Sequence, residues 1–380
     1  MNDKNSQSFT KTRILSIDAL RGFDMFWIIG GSELAIAILS LSNSEWAMRL
    51  AAQFRHSSWN GLTFYDFIFP LFLFIVGLTI PLSLAKYYKI ENNLEKIDYK
   101  HAFLRIITRT IILFLLGLII NGLLNFNFQE MRWPGVLQRI AICYLIAAIL
   151  IIIIPHKFQF LFISILIVTI LISYWLIMRF VHVPGISVTN YLSKEGNLAG
   201  YIDRLLIPGR LYYEYGDNEG LLSTFPALCT TLFGVLTGKI LNTNKTQFFK
   251  MIWMIVIGLI LLLLGIGWSF IFPLNKILWT SSFTLVTSGL SLLLLCLFYW
   301  LIDYKGYKKW AFPFIVIGLN AITIYVVQGI FDFGIIVNIF VHGFINYLAS
   351  FKDIFFLICL ILIKWFFLYF LYKKKIFLKA

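Results

Sequence analysis

The sequence predicts an all-α, polytopic integral membrane protein with about ten transmembrane helices, and three observations lead to this prediction. Mean hydropathy is +0.85, and 60% of the 380 residues are hydrophobic while 13% are charged. Soluble domains have roughly 45–50% apolar and 25% charged residues. Apolar stretches of the roughly 20 residues that cross a hydrocarbon core of about 30 Å recur along the chain, and basic residues concentrate in alternate connections between them.

Ten stretches meet this length criterion, with boundaries uncertain by a few residues. They lie near 17–41, 62–85, 102–124, 135–154, 158–178, 221–241, 248–272, 278–301, 310–331 and 353–372. The apolar stretch from Phe333 to Ala349 is shorter and predicts a re-entrant or interfacial helix, or an eleventh span. Because no internal repeat or low-complexity linker interrupts the chain, we expect a single transmembrane domain over residues 1–380.

The net charge of +14 is explained by membrane orientation rather than by nucleic-acid binding. Alternate connections, counted together with both termini, carry 19 Lys and Arg, and the opposite set carries 8. By the positive-inside rule, both termini are then cytoplasmic. The segment 54–70 is expected to face away from the cytoplasm.

One long hydrophilic connection, at about 181–220, is predicted on the extracytoplasmic side. It carries five tyrosines among Asn, Asp, Glu and Arg residues. Tyrosine faces with neighbouring hydrogen-bonding groups suit a sugar ring, but tyrosines of an interfacial aromatic belt would give the same pattern. The four cysteines all lie in predicted spans without CxxC or short Cys/His spacing, so neither a disulfide framework nor a metal site is indicated.

Ionisable residues inside the spans each need an explanation, because they cost at least about 2.5 kcal/mol on insertion scales. In the first span, Asp18, Arg21 and Asp24 follow each other at i, i+3 spacing and share a helical face. They either neutralise each other or form the polar wall of a channel open to the cytoplasm. Arg105 and Arg109, at the start of the third span, could meet ligand phosphates or anionic lipid headgroups.

Arg139 lies inside the fourth span on the outer side, next to Gln138, in RWPGVLQRIAICY. A guanidinium at this depth is expected to find a carboxylate or a ligand.

The segment FRHSSWNGLTFYDFIFP precedes the second span. Asn60-Gly61 is a turn signal, and Thr63 with Asp66 fits the capping box that satisfies free N–H groups at a helix start. Capping leaves His56 and Trp59 unexplained. A histidine takes up and returns a proton near neutral pH, as acyl or phosphoryl transfer requires, although a histidine at a membrane surface can equally have no catalytic role.

Several blocks together resemble the bacterial relatives of the lysosomal heparan-alpha-glucosaminide N-acetyltransferase, within the wider transmembrane acyltransferases. The blocks are RILSIDALRGFDMFWIIGG, RHSSWNGLTFYDFIFPLFLFIVG, RWPGVLQRIAICY, GYIDRLL, GLLSTFPALCTTLFGVLTGKIL and IGLNAITIYVVQGIF. They run in order from the first span to the ninth, so the resemblance covers most of the chain.

The resemblance implies a ten-helix acyltransferase domain that takes acetyl groups from cytoplasmic acetyl-CoA and delivers them to a glucosamine amine on the far side. It also implies a multi-pass protein of the bacterial inner (cytoplasmic) membrane whose catalytic histidine is His56. The thioester reacts without a metal.

We expect three groups of site residues. The catalytic group is His56, Asn60 as an oxyanion donor, and Asp66, which either orients the imidazole or only caps the helix. The substrate-binding group is Trp59, Gln138, Arg139, Tyr201 and Asp203. The acetyl-CoA group is Arg21, Asp24, Arg105, Arg109 and Lys239, with the cations acting as charge-assisted donors to phosphates.

Alternatives remain open at this point. The enzyme could O-acetylate a surface or lipid-linked glycan, or the protein could be an amino-sugar transporter, although we find no pair of Gly/Pro-broken spans in corresponding halves. The acetyl group could pass directly to the acceptor or through an acetyl-histidine. The acceptor's identity is open, and so is the choice between a monomer and a homodimer.

Overall fold

The structure, a computed structural model, describes residues 13–91, 94–185 and 191–377. These residues form fifteen α-helices and one short hairpin. The helices are α1 (Leu15–Phe26), α2 (Ser32–Leu39), α3 (Glu45–Ala52), α4 (Phe64–Leu84), α5 (Tyr99–Ile120), α6 (Val136–Ile153), α7 (His156–Phe180), α8 (Leu198–Leu206), α9 (Thr224–Leu241), α10 (Gln247–Ser269), α11 (Ser281–Tyr299), α12 (Phe312–Leu319), α13 (Ala321–Ile330), α14 (Phe333–Ile345) and α15 (Lys352–Lys373). The antiparallel hairpin pairs β1 (Tyr88–Glu91) with β2 (Leu94–Ile97).

The predicted all-α membrane bundle is confirmed. Among the described residues, nine helical segments are long and apolar enough to cross a membrane, and the bent pair α12–α13 makes a tenth. Each corresponds to one of the ten predicted stretches. The shorter stretch from Phe333 contains α14, whose 13 residues rise only about 20 Å, so the structure favours a helix shorter than a span there.

The centre of the bundle consists of α4, α9 and α11, which are the most enclosed helices, while α5, α7, α10 and α15 expose much of their apolar surface to the surroundings. Glycines let helices approach closely, as is common in membrane bundles. At the α1–α12 crossing, the backbones of Gly22 and Gly318 leave no room for a Cβ atom.

Two spans are irregular near their middle. The first passes from α1 to α2 through a π-helical segment, Trp27–Gly31, in which Gly30 has a φ of 141°. Lys364 of α15 donates to the carbonyl of Ile29 at 2.8 Å and to Gln328 at 3.2 Å, which accounts for a buried lysine in the last span. The ninth span bends by 68° between α12 and α13, at Asn320. Irregular backbone at membrane depth usually lines a cavity, and the bend at Asn320 does so.

Candidate active site

A histidine–aspartate pair lies where α4 begins. Asp66 completes the predicted capping box with Thr63, and its other oxygen, Oδ1, lies 2.7 Å from His56 Nδ1. The Oδ2 atom also accepts the backbone N–H of Ser57 at 3.0 Å. Asp66 therefore both caps the helix and holds the imidazole.

The contact with Asp66 favours one tautomer of a neutral His56. An ionised carboxylate can only accept hydrogen bonds, so a neutral ring that donates from Nδ1 to Asp66 keeps the lone pair of Nε2. The Asp66 side chain is 1% exposed and the His56 side chain is 51% exposed. The buried Asp66 carboxylate thus holds an accessible imidazole, which can act as a base or a nucleophile.

Lys276 is the residue at this site that sequence reasoning missed. Its Nζ lies 3.0 Å from His56 Nδ1, 3.3 Å from Nε2 and 3.6 Å from Asp66 Oδ1, so the ammonium rests against the ring. Burial lowers the Lys276 pKa, although the charges of Asp66 and Glu219 oppose this. The position lies 220 residues from His56 along the chain, and the spacing of the sequence gives no signal for it.

The predicted oxyanion donor, Asn60, has another contact. Its Oδ1 accepts a hydrogen bond from Asn275 at 3.1 Å, and the Gly61 N–H donates to the Leu274 carbonyl at 2.8 Å. Asn60 does not line the cavity at His56. These contacts join the segment of His56 to the connection that carries Lys276, while a direct role of Asn60 in catalysis stays a prediction.

His56 opens into a cavity of about 230 Å³, which we call the outer cavity. Its polar lining comes from α4 and the connection before it, from α13, from the connections before α6 and α11, and from the long outer connection. The polar lining residues include His56, Tyr65, Arg132, Tyr212, Asn218, Glu219, Lys276 and Tyr325. Tyr65 packs against His56 with ring centroids 4.7 Å apart.

An ion cluster forms one wall of the outer cavity. Arg132 donates to Asp217 through Nε at 2.9 Å and Nη2 at 2.5 Å, and it also binds Glu219. Burial alone would lower the Arg132 pKa, but the hydrogen bonds and charges of Asp217 and Glu219 have the larger effect and raise it. Burial likewise works against ionised Asp217, yet the hydrogen bond to Arg132 lowers the Asp217 pKa. Both groups are therefore charged at neutral pH.

The predicted substrate-binding residues lie outside the lining of the outer cavity, and three of them support the outer connection instead. Asp203 accepts the backbone N–H groups of Leu221 and Asp217 at 2.9 and 3.2 Å, and burial raises its pKa to about 6. Trp59 donates to the Leu192 carbonyl at 2.8 Å and meets Tyr215 edge to face. Tyr201 packs with the apolar cluster beneath the outer connection. None of these three lines the outer cavity, whereas Tyr212 does.

Arg139 and Gln138 are buried below the ion cluster. The expected carboxylate partner of Arg139 is replaced by the Gly220 carbonyl at 3.1 Å, the Ser223 hydroxyl at 2.5 Å and the face of Trp279 at 5.2 Å. Gln138 Nε2 has no hydrogen-bond partner among the described residues. Arg139 therefore supports the base of the outer connection.

A second cavity, of about 380 Å³, opens at the opposite end of the bundle, and we call it the inner cavity. Its lining includes four arginines, Arg13, Arg21, Arg105 and Arg109. Asp18 binds Arg13 at 2.5 Å and Arg21 at 3.6 Å, and Arg109 lies 4.5 Å over the Tyr144 ring. A concentration of guanidinium groups of this kind suits a phosphate-bearing ligand.

Two of the predicted acetyl-CoA residues lie elsewhere. Asp24 is fully buried, and neither carboxylate oxygen has a hydrogen-bond partner in the described part of the chain, so the expected Arg21–Asp24 pair does not form. Lys239 donates to Gln159 of α7 and does not line the inner cavity. Asp18 and Asp24 both lie three positions from Arg21, but only Asp18 forms an ion pair with it.

The two cavities share Phe72 and Ile322 in their linings. Phe72 lies in the middle of α4, and Ile322 follows the bend between α12 and α13. Several residues of α4 line one cavity or the other, and the outermost of them are Tyr65 and Ser83. These two residues are separated by a helical rise of about 27 Å. The fold thus places an arginine-rich cavity and the cavity of the histidine–aspartate pair next to each other along α4.

Among residues 13–91, 94–185 and 191–377, no group of three or more His, Cys, Asp or Glu is arranged to hold a metal ion.

These features define a class: a polytopic helical membrane protein with a histidine-containing polar cavity and an arginine-rich cavity that share two lining residues. The chain is 31% identical over 326 residues to heparan-alpha-glucosaminide N-acetyltransferase of Mus musculus, which is 72% of this chain and 48% of that protein. It is 30% identical over 333 residues to the Homo sapiens protein of that name, which is 73% of this chain and 49% of that protein. The chain is a relative of the heparan-alpha-glucosaminide N-acetyltransferases.

The chain spans about half the length of these curated relatives. No family model matches the chain.

Proposed function

We propose that this protein is a transmembrane N-acetyltransferase that moves acetyl from acetyl-CoA in the inner cavity to the amine of a glucosamine-type sugar in the outer cavity. The observation that carries the proposal is the pair of cavities sharing Phe72 and Ile322, with arginines at one end and the His56–Asp66 pair at the other. The names of the relatives supply the transferred group and the kind of acceptor.

The inner cavity would hold the nucleotide end of acetyl-CoA. Arg13, Arg21, Arg105 and Arg109 offer charge-assisted donors to its phosphates, and Arg109 Nε has no partner in the described part of the chain. By the positive-inside rule this end faces the cytoplasm, so the protein belongs in the inner membrane with its acceptor on the far side.

The pantetheine arm would then follow α4 past Phe72 and Ile322 and place the thioester carbonyl beside His56. Phe72 and Ile322, which line both cavities, are uncharged, and this suits a long chain of low charge.

His56 Nε2 removes a proton from the acceptor nitrogen, and the nitrogen attacks the thioester carbon. The C–N bond forms, the C–S bond breaks, and the sulfur leaves with a proton returned by His56. In a two-step route the same Nε2 lone pair would attack the thioester carbon first, and the C–S bond would break to release CoA thiolate. The amine would then attack the acetyl carbon and free Nε2, and the proton that the amine loses would go to the thiolate. In either route, Asp66 holds the ring and stabilises the imidazolium or acyl-imidazolium that forms.

Lys276 would stabilise the negative charge that develops on the carbonyl oxygen. Its ammonium lies against the ring of His56, and a largely enclosed cationic donor beside the thioester carbonyl would favour a tetrahedral oxyanion.

The test uses purified protein in proteoliposomes with radiolabelled acetyl-CoA and glucosamine. We expect a labelled amide that survives mild base, and His56→Ala should lower its formation by at least about 10²-fold while acetyl-CoA still binds. His182→Ala changes an exposed histidine of the outer connection and is the matched control. A base-labile product would indicate an O-acetyltransferase, and unmodified sugar accumulating without acetyl-CoA would indicate a transporter.

A further inference from the structure

We propose that Glu219 and Asn218 select a primary amine over a hydroxyl as the acetyl acceptor, by receiving the ammonium group of an amino sugar in the outer cavity. This inference rests on the proposed function and specifies its acceptor.

The first observation is the charge of the outer cavity. Its lining and the groups paired directly with that lining include two basic residues, Arg132 and Lys276, and three carboxylates, Asp66, Asp217 and Glu219. When both basic residues carry their charge and His56 is neutral, this set has one negative charge in excess. A single ammonium would balance it, whereas a hydroxyl would not.

The excess charge lies at Glu219. Arg132 donates to Asp217 through both Nε and Nη2, and the Asp217 side chain is fully buried. Asp217 is therefore the main partner of the Arg132 charge. Glu219 binds the same Nη2 through Oε2 only, and no described residue donates to its Oε1. Glu219, Lys276 and His56 all line the outer cavity.

The second observation is an unused acceptor next to Glu219. Asn218 lines the outer cavity, and its Oδ1 is buried with no hydrogen-bond partner among the described residues. A buried polar atom without a partner is costly and marks a place where a ligand can bind.

The three acceptors match the donors of an ammonium. A primary ammonium has three N–H donors, and a hydroxyl has one. Glu219, Asn218 Oδ1 and His56 Nε2 all border one cavity of about 230 Å³, so the nitrogen can bind all three while it faces the thioester. An alcohol would leave at least one buried acceptor, and the carboxylate charge, unsatisfied.

The proton balance follows from this arrangement. The bound ammonium passes one proton to His56 and becomes the nucleophile. The second proton leaves nitrogen after the C–N bond forms. One of the two protons goes to the departing sulfur and the other goes to water, so the products are an amide, CoA thiol and a proton.

The experiment compares glucosamine with glucose, which differ at C2 by an amine against a hydroxyl. Binding of each sugar to the purified full chain is measured by calorimetry, and acetyl transfer from labelled acetyl-CoA is measured in parallel. The variants are Glu219→Gln, which keeps the shape and removes the charge, and Glu219→Asp, which keeps the charge. Glu214→Gln, an exposed position of the same connection outside the cavity, is the control.

We expect the wild type to prefer glucosamine, and Glu219→Gln to weaken glucosamine binding by about 10- to 100-fold through KM more than through kcat. Glu219→Asp should keep part of the preference, and Glu214→Gln all of it. Equal glucosamine binding by Glu219→Gln and Glu214→Gln would overturn the inference, as would equal binding of glucose and glucosamine by the wild type. Failure of the proposed function looks different: no acetyl-CoA-dependent product forms with any acceptor, while the binding measurement still decides the role of Glu219.

Discussion

Asp66 uses one carboxyl group for two tasks. One oxygen completes the N-terminal cap of α4, and the other holds His56. Because the cap fixes the aspartate in the first turn of a rigid helix, the imidazole that it orients is fixed as well. This explains why a helix-start signal and a histidine stand together in the sequence.

We predict that Asp66→Asn lowers the acetyl-transfer rate by about 10²–10⁴-fold, because an amide no longer stabilises the charged ring and permits the wrong tautomer. The measurement is kcat for labelled product. Thr63→Ala is the control: it removes the hydroxyl of the same cap, should cost about 0.5–2 kcal/mol of stability, and should keep most of the activity. If both variants were equally active, Asp66 would only cap the helix.

We predict that Lys276→Met, which keeps the length of the side chain and removes its charge, lowers kcat by about 10²–10³-fold. Acetyl-CoA binding in the inner cavity should not change, because Lys276 lies in the outer one. Binding and single-turnover rates separate the two effects. A variant with wild-type kcat would show that the ammonium has no part in stabilising the oxyanion.

At the scale of elements, two spans leave regular helical geometry in the part of the bundle that lies between the cavities. The π-helical segment after α1 and the bend between α12 and α13 belong to helices that cross at Gly22 and Gly318. The crossing brings the backbones together, and the bend after Gly318 lines the inner cavity.

We predict that Gly318→Val destabilises the protein by at least about 1–3 kcal/mol, because its side chain would overlap the backbone of α1. The thermal unfolding midpoint in detergent and the yield of monodisperse protein test this. Gly267→Val places the same side chain in α10, where a Cβ meets nothing within 4 Å, and it is the matched control. Equal behaviour of the two variants would contradict close packing at the α1–α12 crossing.

For the whole molecule, the main feature is the path between the two cavities, bordered at its middle by Phe72 and Ile322. We predict that Ile322→Trp blocks this path, so that acetyl-CoA still binds but transfer to the sugar falls by about 10²-fold or more through loss of positioning. Ile330→Trp, at an exposed position of the same helix, should leave transfer near the wild-type rate. Full transfer by Ile322→Trp would mean that the acetyl group takes another route.

The sequence by itself determined the ten apolar segments and the capping box, and it left open whether Asp66 also orients His56. The two determined features are local, because hydrophobic length fixes a span and a capping box lies within one helix start. The arginines at the start of the third span were also identifiable, because a charge at membrane depth always needs a partner.

Only the tertiary structure decided which distant residues complete the site. Lys276 reaches His56 from 220 positions away, and Glu219 reaches Arg132 from 87 positions away. These contacts depend on how whole helices pack and where each connection ends, which no spacing in the sequence encodes. Asp24 and Lys239 were predicted to bind acetyl-CoA together with Arg21 and Arg109, but they lie outside the cavity that those arginines line. Helix packing decides which side chains border a cavity.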